Sequence, residues 1–194
     1  MRYFRLIESC VPTQPFLSEI ASVREAWSSA TGRQEKIAVQ REAMAIPLRG
    51  VRKSAIGELK RRDVHKSRWT YTSEPYVHAR SFLKALAARQ GAELGRAKLV
   101  MLPAGRRVYP HIDRGEYYRV RDRYHLVIRS TAGSWLRAGD EEVTMQEGEL
   151  WWFDNKAMHE AWNHGDQDRL HLIFDMLSAT GAAMVARRED MQPA

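Results

Sequence analysis

The chain divides by the period of its apolar positions. In the first half, Phe16, Ile20, Val23 and Trp27 recur at helical spacing after Thr13 and Pro15, which predicts a helix ending near Gly32. A second amphipathic helix is predicted over 78–90, with Phe82, Leu83, Leu86 and Ala87 inward and Gly91 as its stop. Residues 37–39 and 45–48 read as short strands, the latter weakened by Pro47. From Ala97 the period shortens to two. Strands are predicted at 98–102, 108–112, 121–128, 134–138, 142–145, 149–153 and 169–176, with turn residues such as Pro103-Ala-Gly105, Gly139-Asp140 and Glu147-Gly148 between them. Many short strands at this spacing build a sandwich or barrel. The expected fold is therefore α+β, mainly β, in one domain. Residues 1–96 form a helical or mixed support region, 97–178 the catalytic core and 179–194 a tail.

Composition narrows the class. A chain of 194 residues suits a single domain, and 44% hydrophobic with 28% charged residues is globular rather than disordered. One cysteine, Cys10, excludes an internal disulfide and a thiolate zinc cluster within the chain, so the reducing cytoplasm is the expected compartment. The N-terminus is charged and broken by proline before a signal-peptide core could form. No apolar run approaches the roughly 20 residues of a membrane span. Net charge is +7, much of it within residues 49–68, and permits an anionic partner. A solvated helix or loop accounts for this stretch better than a nucleic-acid face, since neither an RNP-type aromatic stripe nor zinc-finger spacing accompanies it.

The chemistry concentrates in Tyr109-Pro-His-Ile-Asp113. In a strand, side chains at i and i+2 share a face, so His111 and Asp113 would project together. A third ligand, His159, follows an aromatic strand and a tight turn. Two histidines and one carboxylate form a facial triad with open coordination positions, the arrangement of non-haem iron(II) oxygenases. Gly105, six residues before His111, supplies a turn feeding the metal-bearing strand. Beyond the triad, alternation puts Arg169, His171, Ile173 and Asp175 on one face, with Leu170, Leu172, Phe174 and Met176 on the other. A buried arginine needs an anion, and its guanidinium fork fits a dicarboxylate. Arg121, Arg123 and His125 align in the same way on an earlier strand, as an anion site or a charged solvent face.

Together these residues resemble the aspartyl/asparaginyl β-hydroxylase family. The resemblance covers about 99–177 and includes Pro103-Ala-Gly105, Pro110-His111, Arg121-Asp-Arg-Tyr-His-Leu126, Glu147-Gly148, Phe153-Asp154, His159-Glu-Ala-Trp-Asn163 and Arg169. It implies a double-stranded β-helix and an iron(II)- and 2-oxoglutarate-dependent dioxygenase that uses O₂. The reaction would hydroxylate an amino-acid side chain, free or in a peptide or protein, with succinate and CO₂ as co-products. It further implies that His111 and His159 ligate iron, that Arg169 binds the distal carboxylate of 2-oxoglutarate, and that His125 and Arg123 face the co-substrate. Arg121, Arg119 and Arg114 would face the substrate. Asp113 completes the triad, as in bacterial members and unlike the vertebrate branch. Two departures stand out: extra length over 114–120, and Val100 where vertebrate enzymes carry a serine. Asp154, Glu160 and Asn163 are candidates to support the ligands, whereas Trp151, Trp152 and Trp162 are expected in the core. A cupin-like metal-binding isomerase or ligand sensor is the alternative, but it leaves Arg169 and the Arg121–Arg123–His125 face unexplained.

Overall fold

The computed structural model describes residues 1–23, 25, 27, 38–51, 60–179 and 181. Eleven strands among them form two antiparallel sheets. The larger sheet contains β1 (Phe4–Glu8), β2 (Met44–Gly50), β3 (Arg68–Trp69), β4 (Glu93–Leu102), β6 (Asp122–Arg129), β9 (Leu150–Phe153) and β11 (Arg169–Leu177). Their order is β1-β9-β6-β11-β4-β2-β3. The smaller sheet, β5-β10-β7-β8, is built from β5 (Arg107–His111), β7 (Ser134–Ala138), β8 (Glu141–Val143) and β10 (His159–Asn163).

Alternation along the strands of the larger sheet creates two cores. Leu170, Leu172, Phe174 and Met176 of β11 pack with Leu99, Leu126 and Leu150 against α1 (Gln14–Ser22) and α2 (Val77–Arg89). On the other face, Val100, Leu102, Val127 and Ile173 meet Leu136, Ala138, Val143 and Ala161 of the smaller sheet. The predicted division of β11 into two faces is thus what separates the helix layer from the interior of the sandwich. Helix α2 turns Ala79, Leu83, Leu86 and Ala87 inward. It closes at Gly91, whose φ of 57° lets Gly91 N donate to Ala88 O and Ala92 N to Ala87 O, the pattern of a Schellman cap.

Three expectations change. The first helix stops at Ser22 because Val23 is extended, at φ −102° and ψ 99°. Val23 and Trp27 nonetheless pack on the core, so their spacing reflects burial without continued helix. Ala38 and Val39, expected in a strand with Ile37, lie in a 3₁₀ turn, Ala38–Gln40; Ile37 is outside the described residues. The N-terminal region is also more than a support for the core: β1 pairs with β9 and β2 with β4, so it enters the larger sheet. Of residues 49–68, only 49–51 and 60–68 are described, and most of the expected tail lies outside them.

Candidate metal centre

The triad is assembled across one strand pair and one loop. His111 ends β5 and His159 begins β10, and the two are direct antiparallel partners with ring centroids 4.2 Å apart. Asp113 lies two residues beyond the strand, where its backbone N–H donates to Asn155 O at 3.1 Å. A loop between β9 and β10 therefore fixes what strand alternation alone was expected to fix. Ligating atoms of His111, Asp113 and His159 all lie within 4.8 Å of one another.

Each of the three has one side tied and one side open. His111 Nδ1 bonds Tyr109 O at 2.7 Å, and His159 Nδ1 bonds Ala157 O at 3.0 Å. A carbonyl can only accept, so both Nδ1 atoms carry the proton and both Nε2 lone pairs are left for a metal. On Asp113, Oδ2 accepts from Asn155 Nδ2 at 3.0 Å and from Arg123. Burial pushes the Asp113 carboxyl up, but Arg123, His159, Asn155 and His111 outweigh it and bring it down to about 2. Burial holds His111 below the usual imidazole range and brings His159 down to about 4. Two neutral imidazoles and a carboxylate are a fit donor set for a divalent metal of intermediate hardness.

Arg123 is engaged twice. Besides Asp113 it donates through Nε to Asp175 Oδ1 at 2.8 Å. Burial alone would lower its pKa, but the two carboxylates raise it well above the ordinary guanidinium range. Asp175 also accepts from Tyr117 Oη at 3.2 Å. Support for the candidate ligand Asp113 thus comes from Asn155 and from Arg123, which Asp175 holds in turn. The three residues expected there bond elsewhere: Asp154 caps Lys156 N, Glu160 pairs with Arg137, and Asn163 donates to Leu102 O and Gln167 O. Of the tryptophans, Trp151 and Trp152 pack on the two cores, whereas Trp162 stacks on His164.

Behind the triad a cavity enters the sandwich, its wall including His111, His159, Arg123, His125, Lys98 and Arg169. Val100 contributes to the same wall. Arg169 is 5% exposed, and the one hydrogen bond of its side chain among the described residues is a long 3.4 Å contact to Trp135 O. No carboxylate of the described residues pairs with it. Burial brings its pKa down to about 10, so it stays charged at neutral pH. Lys98 and Asn155 were not singled out from sequence. The period-two pattern of β4 does carry a signal for Lys98, which shares the inward face of Val100 and Leu102.

The remaining basic residues lie off this wall. Arg121 precedes β6, is 2% exposed, and bonds His65 Nδ1 at 2.8 Å while stacking on Tyr117. Strand alternation begins only at Asp122, so Arg121 does not follow Arg123 and His125 into the cavity. Arg119 pairs with Glu116 at 3.2 Å on α3 (Glu116–Arg119), and Arg114 is exposed. The extra length after Asp113 is this helix, which docks on residues 61–63 through Glu116 N and Asp63.

The model of the aspartyl/asparaginyl β-hydroxylase family matches residues 65–179, more than half of the chain. The chain belongs to that family. It is accordingly a hydroxylase of the 2-oxoglutarate and iron(II) oxygenase type. No curated protein matches its sequence. Among solved structures, this β-hydroxylase-family chain is similar to a Trichoplax adhaerens prolyl hydroxylase in complex with a hypoxia inducible factor peptide. The TM-score is 0.58 at 12% identity, over 95% of this chain and 87% of that one. A Pseudomonas putida prolyl-4-hydroxylase matches at TM-score 0.50 and 14% identity, over 90% and 92%. The nickel complex of a non-heme monooxygenase, ThoJ, matches at 0.51 and 15%, over 90% and 73%. At these identities the likeness is one of fold, the double-stranded β-helix. No helix among the described residues is long and apolar enough to cross a membrane.

Proposed function

We propose that this hydroxylase holds iron(II) on His111, Asp113 and His159, takes 2-oxoglutarate as co-substrate, and hydroxylates an amino-acid side chain, releasing succinate and CO₂. The observation that carries this reading is Arg169, a buried guanidinium with no carboxylate partner among the described residues, on the wall of the cavity that His111 and His159 also line. A buried charge of this kind calls for an anion. When bound, iron(II) with 2-oxoglutarate and O₂ supplies the oxidising power for inserting oxygen into a C–H bond.

The residues then divide the work. Arg169 grips the distal carboxylate with its two-pronged guanidinium, and His125 meets the carboxylate nearer the metal. Arg123, expected to face the co-substrate, has its donors turned to Asp113 and Asp175; its role is to hold the metal carboxylate with one oxygen forward. Val108, Leu136, Phe153 and Ile173 line the cavity with apolar surface that keeps water from the reacting centre. Arg114 and Arg119, on the segment following Asp113, remain the proposed cations for an anionic group of the substrate. A free amino acid and a residue in a peptide are both compatible with this site.

Anaerobic addition of iron(II) and then 2-oxoglutarate tests the reading. A metal-to-ligand charge-transfer band is expected. Protein that binds iron yet gives no band on saturation with 2-oxoglutarate is no oxygenase of this type. Succinate release across a panel of amino acids and peptides then selects the substrate.

A further inference from the structure

His125 and His171 face each other inside the sandwich. His125 on β6 is the direct partner of Ile173 on β11, which makes His171 its diagonal neighbour. Their Nδ1 atoms are 3.2 Å apart and the rings cross at 76°. His171 is 2% exposed, and its Nε2 is buried without a partner among the described residues. His125 differs: it lines the cavity, its ring packs at 75° to that of Phe153, and its Nε2 is not among the sealed, unpartnered atoms. Both rings are neutral. Burial is the first cause in each; His171 and Arg123 add to it for His125, and Arg169 for His171.

One proton sits between the two Nδ1 atoms, and its owner decides both tautomers. If His125 owned it, His171 would carry its own proton on Nε2, as a buried N–H with no acceptor. Orphaned buried N–H groups are rare and costly, whereas an unused lone pair is better tolerated. The proton therefore belongs to His171 Nδ1, and His125 Nδ1 accepts it. His125 is left with its proton on Nε2, the nitrogen open to the cavity.

We propose that His171 is a positioning residue that locks His125 as the Nε2–H tautomer, turning the cavity wall there into a hydrogen-bond donor for an anionic oxygen. The lock has a second effect. An imidazole with a protonated Nε2 has no lone pair on that side, so His125 cannot compete with His111 and His159 for the metal. The part of this inference that concerns the anion rests on the 2-oxoglutarate reading given above; the tautomer assignment does not.

The test separates the two. Long-range proton–nitrogen correlation on metal-free protein labelled with ¹⁵N in histidine reads each tautomer directly. The expected spectrum has His125 protonated on Nε2 and His171 on Nδ1, with signals assigned through His125→Phe and His171→Asn. The reverse pattern, His125 on Nδ1 and His171 on Nε2, overturns the proposal. Calorimetry on manganese(II)-loaded protein then measures 2-oxoglutarate binding. His171→Leu, which removes the donor, should weaken it about tenfold, the loss expected for a hydrogen bond to a charged oxygen. His171→Asn, which keeps an N–H near the Nδ1 position, should recover most of that loss. Metal affinity should be unchanged in both. Equal binding in wild type and His171→Leu overturns the positioning role. Wild type that shows the expected tautomers but fails to bind 2-oxoglutarate overturns the co-substrate reading and leaves the tautomer lock standing.

Discussion

Arg169 and the triad both place polar groups at one cavity or its mouth, yet their substitutions should fail in different ways. His111→Ala and His159→Ala each remove one of two neutral nitrogen donors, so metal binding should be lost. Arg169→Ala should keep the metal and weaken 2-oxoglutarate by about 10- to 100-fold, the range for a charge-assisted pair. Metal titration and co-substrate calorimetry on the same three proteins check the contrast. Loss of metal in Arg169→Ala would remove the distinction. Asp175 does not reach the triad itself, but Arg123 lies between Asp175 and Asp113. Asp175→Asn would leave Arg123 with a single carboxylate, free to tilt Asp113. Metal affinity should fall by about 10- to 100-fold, as for other groups that orient ligands, and a competitive chelator assay measures it.

Strand β11 carries one product of the fold on each face. Its leucines seat the helices, while Arg169 and Ile173 on the opposite face line the cavity. Leu172→Ala, at a fully buried site between helices and sheet, should cost about 2–5 kcal/mol of stability while leaving metal affinity near that of wild type. Urea unfolding and the chelator assay measured together decide whether the faces are independent. At this scale, period two in the sequence located most of the strands, including the two faces of β11. It did not find β1, β3 or β10. Strand β1 carries charges on an edge, β3 has two residues, and β10 mixes Glu160 and Asn163 with Ala161, so none offers a clean apolar alternation. The meeting of His111 and His159 was legible because the first lies on a period-two strand and the second follows an aromatic strand and a tight turn. Asn155 and the exit of Arg121 were not, since both depend on loops whose path follows from tertiary contact and not from period.

For the whole molecule, the proposed metal would be a ligand of the folded state alone, because the triad joins β5, β10 and the segment after β5. Saturation at about 100 times the dissociation constant adds roughly 2.7 kcal/mol of stability. For a domain of this size that corresponds to a rise in Tm of about 5–10 °C. Differential scanning calorimetry with and without metal checks the rise, and a chelator should reverse it.

The two sheets also hold different ends of the proposed ligand. The proposed metal ligands His111 and His159 belong to the smaller sheet, while Arg169 and His125 belong to the larger. Metal alone would therefore rivet one leaf of the sandwich and leave the other as it was. A dicarboxylate reaching from metal to Arg169 would clasp both leaves from the inside, as a removable piece of core. Amide exchange should record this in two stages: metal slows exchange in β5 and β10, and only the further addition of 2-oxoglutarate slows β6 and β11. Departure of the shorter product would release the clasp, so the breathing of the sandwich would follow each turnover.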